Sequence, residues 1–129
     1  MIVSKEQERA KMAWELANAV ANAVPNHLID DYASVVKSAP VMILTNGLGQ
    51  ALAFIISKSK SKEYSLLYDH LNKWLSGNVV WTQSEDISND LIERVINEKS
   101  QGYRMATEEA LAFLAWVKRF ATALEKGGD

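Results

Sequence analysis

Residues 41–57 read Val-Met-Ile-Leu-Thr-Asn-Gly-Leu-Gly-Gln-Ala-Leu-Ala-Phe-Ile-Ile-Ser, a run without a single charged side chain. A membrane span needs about 20 strongly apolar residues, and this run is interrupted by Thr45, Asn46, Gln50 and two glycines. The pattern therefore favours a helix that neighbouring helices bury. Pro40 directly precedes the run, and proline suits the first turn of a helix that begins at position 41.

Apolar residues at helical spacing predict five further helices around this central one. Ser4 and Gln7 have the spacing of a capping box at the start of the first helix, and Pro25 ends that helix. Pro40 likewise predicts that the second helix stops before it. The expected helices are residues 4–24, 27–38, 41–57, 62–75, 84 or 88 to 99, and 101–126, with a loop at 78–83. Together they predict an all-α, single-domain bundle of about six helices over residues 1–129.

Composition narrows the functional classes. The chain has 129 residues, 48% of them hydrophobic and 23% charged, as expected for one globular domain. It has no cysteine, which excludes disulfides, thiolate metal sites and cysteine nucleophiles. The charged first residues are not followed by the apolar segment of a signal peptide, so a cytoplasmic location is expected.

The net charge of −2 is unlike that of a free-standing nucleic-acid-binding domain. Any nucleic-acid contact must therefore be local or shared with partners.

The polar residues do not form a pattern typical of a catalytic or metal site. His27 precedes Asp30 and Asp31 by three and four residues, a spacing that could serve a metal but also suits the first turn of a helix. Pairs such as Glu108 and Glu109 are interpreted as solvated surface charges. Neither a Gly-x-Ser-x-Gly motif nor a complete phosphate-binding glycine motif occurs. No catalytic residue, metal or cofactor is predicted.

The glycines of the central run need an explanation of their own. Glycine inside a helix costs about 1 kcal/mol relative to alanine. Close contact between helices, or a local kink that docks a partner, would explain Gly47 and Gly49. These two glycines and Asn46 are therefore predicted to contact a partner.

Two stretches, Thr45–Phe54 and Tyr103–Leu114, resemble the most distinctive segments of one known family. Arg9-Ala10, residues 68–75 and residues 116–121 support the same assignment, in the expected order along nearly the whole chain. The family is the small helical subunit, numbered five, of the Cmr (type III-B) CRISPR RNA-targeting effector complex. Two glycines inside an apolar helix make the first stretch the more specific of the two.

The resemblance implies a non-enzymatic, structural role in antiviral defence. Copies of such a subunit stack into a short filament beside the larger backbone subunits and help line the channel that holds guide and target RNA. The implied partners are other Cmr subunits, copies of the same chain, guide RNA and target RNA, with no membrane and no cofactor. Family members often have a basic residue just before the Thr-Asn-Gly-Leu-Gly stretch, whereas this chain has Leu44 there. That departure puts a nucleic-acid contact from position 44 in doubt.

The basic residues supply the predicted RNA contacts, since lysine and arginine neutralise phosphates without reading sequence. Arg104 and Lys118 are 14 residues apart, so they lie near one face of the last helix. An ion pair with Glu108, four residues on, is an alternative role for Arg104. The predicted nucleic-acid-binding residues are Lys58, Lys60, Lys62, Arg104, Lys118 and Arg119.

The fifth helix is acidic, and Glu85, Asp86 and Asp90 are predicted to contact a partner. One basic and one acidic region allow copies to associate head to tail, although both regions would equally suit a solvated surface. Four aromatic residues are expected on core faces, namely Trp14, Trp74, Phe113 and Phe120. Two other functions stay open: a helical protein–protein adaptor without nucleic-acid contact, and a small hydrolase or metalloenzyme.

Overall fold

A computed structural model describes residues 3–83 and 90–127. Within these residues it contains helices and no strand, which confirms the predicted all-α class. Buried side chains from all six helices contribute to one hydrophobic cluster. The helices are Lys5–Ala21 (α1), Leu28–Asn46 (α2), Leu48–Ser57 (α3), Lys62–Asn78 (α4), Leu91–Ile96 (α5) and Ser100–Leu124 (α6).

The second helix does not stop at Pro40, so the prediction that it ends there is wrong. Helix α2 continues through Pro40 to Asn46. A proline inside a helix costs about 3 kcal/mol, but Ala39 and Ile43 on either side of it are buried in the core. Packing of that apolar face outweighs the local cost, because most helical stability in proteins comes from tertiary contacts.

The break between the second and third helices lies at Gly47 instead. Its backbone has φ 88° and ψ 158°, a conformation that is essentially restricted to glycine. Helix α3 begins at the next residue, Leu48. The prediction that both glycines lie inside one helix is therefore wrong for Gly47, whereas Gly49 does lie in the first turn of α3.

The fifth helix is shorter than predicted. Asp90 has an extended backbone and occupies the N-cap position of α5, so the helix begins at Leu91 rather than at Ser84 or Ser88. Those two positions lie outside the described residues. The other predicted helix ends agree with the structure to within three residues, apart from the break at Gly47. The capping box of α1 is present, with Ser4 Oγ accepting from the Gln7 amide at 3.1 Å.

Helices α1 and α6 run parallel and pack along their lengths. Arg9, in the second turn of α1, contacts Glu109 in the first half of α6, and Trp14 meets Phe120 edge to face one to three turns further on. Trp74 and Phe113 are buried as predicted and stack with ring centroids 5.1 Å apart. Trp14, however, is 44% exposed. Its placement on a core face is wrong because it lies at the edge of the α1–α6 contact.

None of the described helices is long and apolar enough to cross a membrane. The uncharged run 41–57 is divided between α2 and α3 by Gly47. Its buried members, Ile43, Leu48, Ala51, Leu52 and Ile55, face the other helices. The expectation of a helix buried by its neighbours therefore holds for one side of this run.

The core contains one ionisable side chain among the described residues that can titrate near neutral pH, His70 of α4, which is 5% exposed. Its Nδ1 is hydrogen-bonded to the buried hydroxyl of Tyr32 on α2, 2.6 Å away. Burial lowers the pKa of His70 to about 4, so the imidazole is neutral in the folded chain at neutral pH. The pair ties α2 to α4 and satisfies two polar atoms that the core would otherwise leave without partners.

The buried His70 should make the stability of the folded chain depend on pH between about 4 and 6.5. Its folded pKa of about 4 lies below the ordinary value of 6.5, so the unfolded chain binds the proton more readily. The free energy of unfolding should therefore fall as pH drops from 6.5 towards 4, by up to about 1.4 kcal/mol per pH unit. Urea unfolding at half-unit pH steps measures this. His70→Gln should flatten the slope between pH 5 and 6.5, and an unchanged slope in that variant would refute the assignment.

Candidate RNA and partner interfaces

Three exposed lysines lie where α3 leads into α4: Lys58 and Lys60 in the turn, and Lys62 as the first residue of α4. We call these three residues the lysine turn. The Lys58 ammonium lies 5.6 Å from the centroid of the Phe54 ring, and Lys62 Nζ lies 3.4 Å from the Val24 carbonyl oxygen. None of the three forms an ion pair with a carboxylate of the described residues. Their charges are therefore available to an external anion.

The local backbone adds to this positive surface. Helix α4 starts at Lys62, and the side chain of the N-cap residue Ser61 makes no capping hydrogen bond. The first amide groups of a helix carry a partial positive charge that favours anions. The lysine turn thus combines three exposed cations with the positive end of a 17-residue helix, an arrangement suited to a phosphate backbone.

Arg104 stands apart from the other basic residues. It is exposed on α6, and in the described part of the chain it forms no ion pair with Glu108. Fourteen residues of helix separate it from Lys118 by about 21 Å along the axis. The structure therefore places Arg104 on the same helix as Lys118 and Arg119 without bringing them into one cluster.

Lys118 and Arg119 line a groove between α2 and α6, which we call the α2–α6 groove. Its volume is about 730 Å³, and its apolar wall includes Leu44, which is 72% exposed. Position 44, where a basic residue was expected from the resemblance, thus lies beside two cations that α6 supplies. The lining residues are Pro40, Leu44, Leu111, Ala115, Lys118, Arg119 and Thr122.

The two glycines of the central run have a structural reason that the sequence did not reveal. The Tyr103 hydroxyl of α6 accepts a hydrogen bond from the Gly49 amide at 2.8 Å. A Cβ atom at Gly47 or Gly49 would lie 3.2 or 3.4 Å from that hydroxyl oxygen. Both stretches singled out in the sequence therefore meet at Tyr103. Partner contact by Gly47 and Gly49 stays a prediction, since this packing explains them without a partner.

Asn46 is the predicted partner-contact residue that the structure leaves exposed at this break. Together with Met42, Gln50 and Phe54 it lines a cavity of about 520 Å³ on the outside of α2 and α3. Its role in docking a partner stays a prediction.

The acidic partner residues are placed only in part. Glu85 and Asp86 lie outside the described residues. The Asp90 carboxylate accepts a hydrogen bond from the hydroxyl of Tyr68, and that hydroxyl also accepts from the Ile92 amide at 3.0 Å. Burial, together with Asp90, raises the pKa of Tyr68. Asp90 therefore anchors the start of α5 to α4, a role that the sequence pattern does not indicate.

An ion-pair cluster that the sequence pattern did not predict joins three helices. Arg9 of α1 donates two hydrogen bonds to the Glu109 carboxylate, from Nε at 2.6 Å and from Nη2 at 2.8 Å. Trp74 Nε1 of α4 donates to the same carboxylate at 2.9 Å. The Glu109 side chain is only 11% exposed. Its interpretation as a solvated surface charge is wrong, because the exposed position belongs to Glu108 alone.

His27 and Asp31 lie 3.6 Å apart at the start of α2, both well exposed. Across residues 3–83 and 90–127, no three or more histidine and carboxylate side chains converge as metal ligands would. The pair fits the first turn of a helix, where aspartate is favourable.

The sequence and the fold of this chain are similar to those of known proteins. The family model described as CRISPR-associated protein (Cas_Cmr5) matches residues 5–124. The CRISPR system Cmr subunit Cmr5 of Thermus thermophilus is 28% identical over 121 residues, which cover 94% of this chain and 96% of that protein. The crystal structure of a CRISPR-associated Cmr5 family protein from the same organism superposes with a TM-score of 0.77 at 27% identity. That match covers 95% of this chain and 98% of the other.

Proposed function

This chain belongs to the CRISPR-associated Cmr5 family, and on that basis we propose that it is a non-catalytic small subunit of a type III-B Cmr effector complex. In this role copies of the chain stack into a short filament that helps line the channel for guide and target RNA. The match over residues 5–124 carries the proposal, and the likeness of fold over 95% of the chain supports it. The proposed partners are the other Cmr subunits, further copies of the chain, and the two RNA strands.

The distribution of charge supports a backbone-directed RNA contact. Base pairing reads sequence in RNA-guided complexes, while the protein supports the shape and phosphates of the duplex. The lysine turn offers exposed cations and a helix N-terminus, which suit such sequence-independent contact. Since the whole chain has a net charge of −2, this contact works as one local face of an assembly.

The non-catalytic part of the proposal agrees with how the described titratable groups are used. The buried His70 is hydrogen-bonded to Tyr32, and Glu109 is held by Arg9 and Trp74. These groups have internal partners that stabilise the fold. In this proposal any catalytic step of the complex belongs to other subunits.

Reversing the charge of the lysine turn tests the RNA contact directly. The triple variant Lys58→Glu, Lys60→Glu, Lys62→Glu should weaken RNA binding by the assembled complex and reduce the slope of log affinity against log salt by about 1 per lost phosphate contact. Fluorescence anisotropy with labelled RNA at several salt concentrations measures both effects.

A matched control separates local contact from net charge. The variant Lys11→Glu, Lys73→Glu, Lys99→Glu changes the net charge equally, at exposed lysines of other surfaces. It should leave the salt slope unchanged. If both triple variants lose RNA affinity equally, or neither loses any, the lysine turn does not contact RNA. Normal incorporation into the complex with no RNA effect would favour the alternative of a protein–protein adaptor.

A further inference from the structure

The α2–α6 groove differs from the lysine turn in the apolar surface around its cations. Leu44 and Val41 are 72% and 65% exposed on the outer side of α2. Lys118 and Arg119 are exposed beside Leu44 and form no ion pair with any described carboxylate. Protein interfaces have an apolar centre and a polar rim, whereas a phosphate backbone needs only cations. The groove therefore fits a protein surface better than it fits RNA.

The outer edge of α5 carries the complementary features. Ile96 is 66% exposed, and the exposed Glu93 lies three residues earlier, on the same side of the helix. Within the described residues the Glu93 carboxylate forms no ion pair. Leu91 and Val95 are buried and hold α5 against the core. An apolar side chain and a carboxylate are thus presented together on a fixed helix.

We propose that the α5 edge of one copy docks in the α2–α6 groove of a second copy. Ile96 lies beside Leu44, and Glu93 pairs with Lys118 or Arg119. This inference rests on the proposed stacking of copies and adds which two surfaces meet. The surfaces differ, so the contact is heterologous and extends a row of copies rather than closing a dimer. Lys118 and Arg119 then bind protein, and the predicted RNA contacts that remain are the lysine turn and Arg104.

The absence of cysteine from the chain allows a direct test by disulfide trapping. Chains carrying Leu44→Cys are mixed with an equal amount of chains carrying Ile96→Cys, and a mild oxidant is added. The mixed dimer should form roughly ten-fold faster than it does for a control pair, because docking raises the effective concentration of the two thiols. The control pair is Val24→Cys with Val80→Cys, two positions that are 80% and 75% exposed. Trapping records weak, transient contacts as well as stable ones.

Charge reversal then tests the pairing. Lys118→Glu with Arg119→Glu, introduced into the Leu44→Cys chain, should slow the mixed cross-link by roughly three- to ten-fold, since like charges would face each other. Glu93→Lys in the Ile96→Cys chain should restore the rate. A rate no higher than that of the control pair, an excess of dimers linked through position 44 on both chains, or failure of Glu93→Lys to rescue would each overturn the proposal.

Failure of this inference can be told apart from failure of the proposed function. The same charge variants are tested for co-purification with the other Cmr subunits and for salt-dependent RNA binding. If co-purification and RNA binding both persist while the cross-link is absent, the chain is a Cmr subunit whose copies meet through other surfaces. If the unsubstituted chain shows neither co-purification nor RNA binding, the proposed function is wrong whatever the cross-link shows.

Discussion

Replacing Glu109 with alanine is expected to destabilise the chain by about 3 kcal/mol. The substitution removes a carboxylate that accepts hydrogen bonds from Arg9 and Trp74. It leaves the Arg9 guanidinium without its partner and the Trp74 ring nitrogen without an acceptor. Breaking a buried ion pair by removing one partner costs about 3–5 kcal/mol, and some solvent access to Arg9, whose side chain is 22% exposed, favours the lower end. Urea unfolding followed by far-UV circular dichroism measures the loss.

The neighbouring Glu108 provides a matched control for this variant. It lies one residue away in the same helix but is exposed, so Glu108→Ala should change the free energy of unfolding by less than about 0.5 kcal/mol. Similar losses in the two variants would mean that helix α6 itself, rather than the three-helix cluster, was damaged.

The cluster also has a defined pH dependence. Burial by itself raises the pKa of Glu109, but the hydrogen bonds from Arg9 and Trp74 lower it below its ordinary value of 4.5. The contribution of Glu109 to stability is therefore present above pH 4.5 and is lost as pH falls through the lower folded pKa. This window lies below most of the His70 window, so unfolding of the two single variants at about pH 3–7 separates the two effects.

Gly47→Ala is the substitution with the second-largest expected effect, a loss of about 2–3 kcal/mol. Gly47 has a φ of 88°, and a side chain at that φ costs about 1–3 kcal/mol in strain. The new methyl group would also lie 3.2 Å from the Tyr103 hydroxyl oxygen, which already binds the Gly49 amide. Thermal and urea unfolding measure the loss, and disturbed packing of Tyr103 should appear in the near-UV circular dichroism spectrum.

Gly77→Ala is the matched control, because it tests glycine replacement without strain or contact. Gly77 lies in α4, and a Cβ there would meet no atom within 4 Å. Alanine is the better helix former, so this variant should be stabilised by up to about 1 kcal/mol. Stabilisation by both substitutions would show that the α2–α3 break does not depend on glycine at position 47.

The helical class and most helix positions could be predicted from sequence, because apolar periodicity and caps act within a few residues. Ser4 and Gln7 form their capping box as expected. The prediction that α2 ends before Pro40 was wrong because the cost of proline inside a helix, about 3 kcal/mol, is outweighed by burial of Ala39 and Ile43. That burial depends on the packed neighbouring helices, so the local sequence does not show it. The break between α2 and α3 lies at Gly47 instead. Sequence alone does not distinguish a glycine with positive φ from a glycine inside a helix.

The interfaces were predictable to a smaller extent. The lysine turn is contiguous in sequence, and its exposure follows from its charge. The α2–α6 groove joins Leu44 to Lys118, 74 positions away in the printed sequence, so no local pattern could connect them. Glu109 illustrates the opposite error, since a carboxylate beside Glu108 gives no local sign of a partner 100 residues away.

The sequence by itself determined the helical class and the resemblance to the family, through periodicity and two distinctive stretches. Only the tertiary structure decided how the uncharged run 41–57 is used. It ends α2 at Asn46, turns at Gly47 and starts α3 against Tyr103, with one side buried and Leu44 exposed beside the cations of α6. The physical reason is range: periodicity and capping act over one or two turns, whereas burial and ion pairing depend on which distant residues become neighbours.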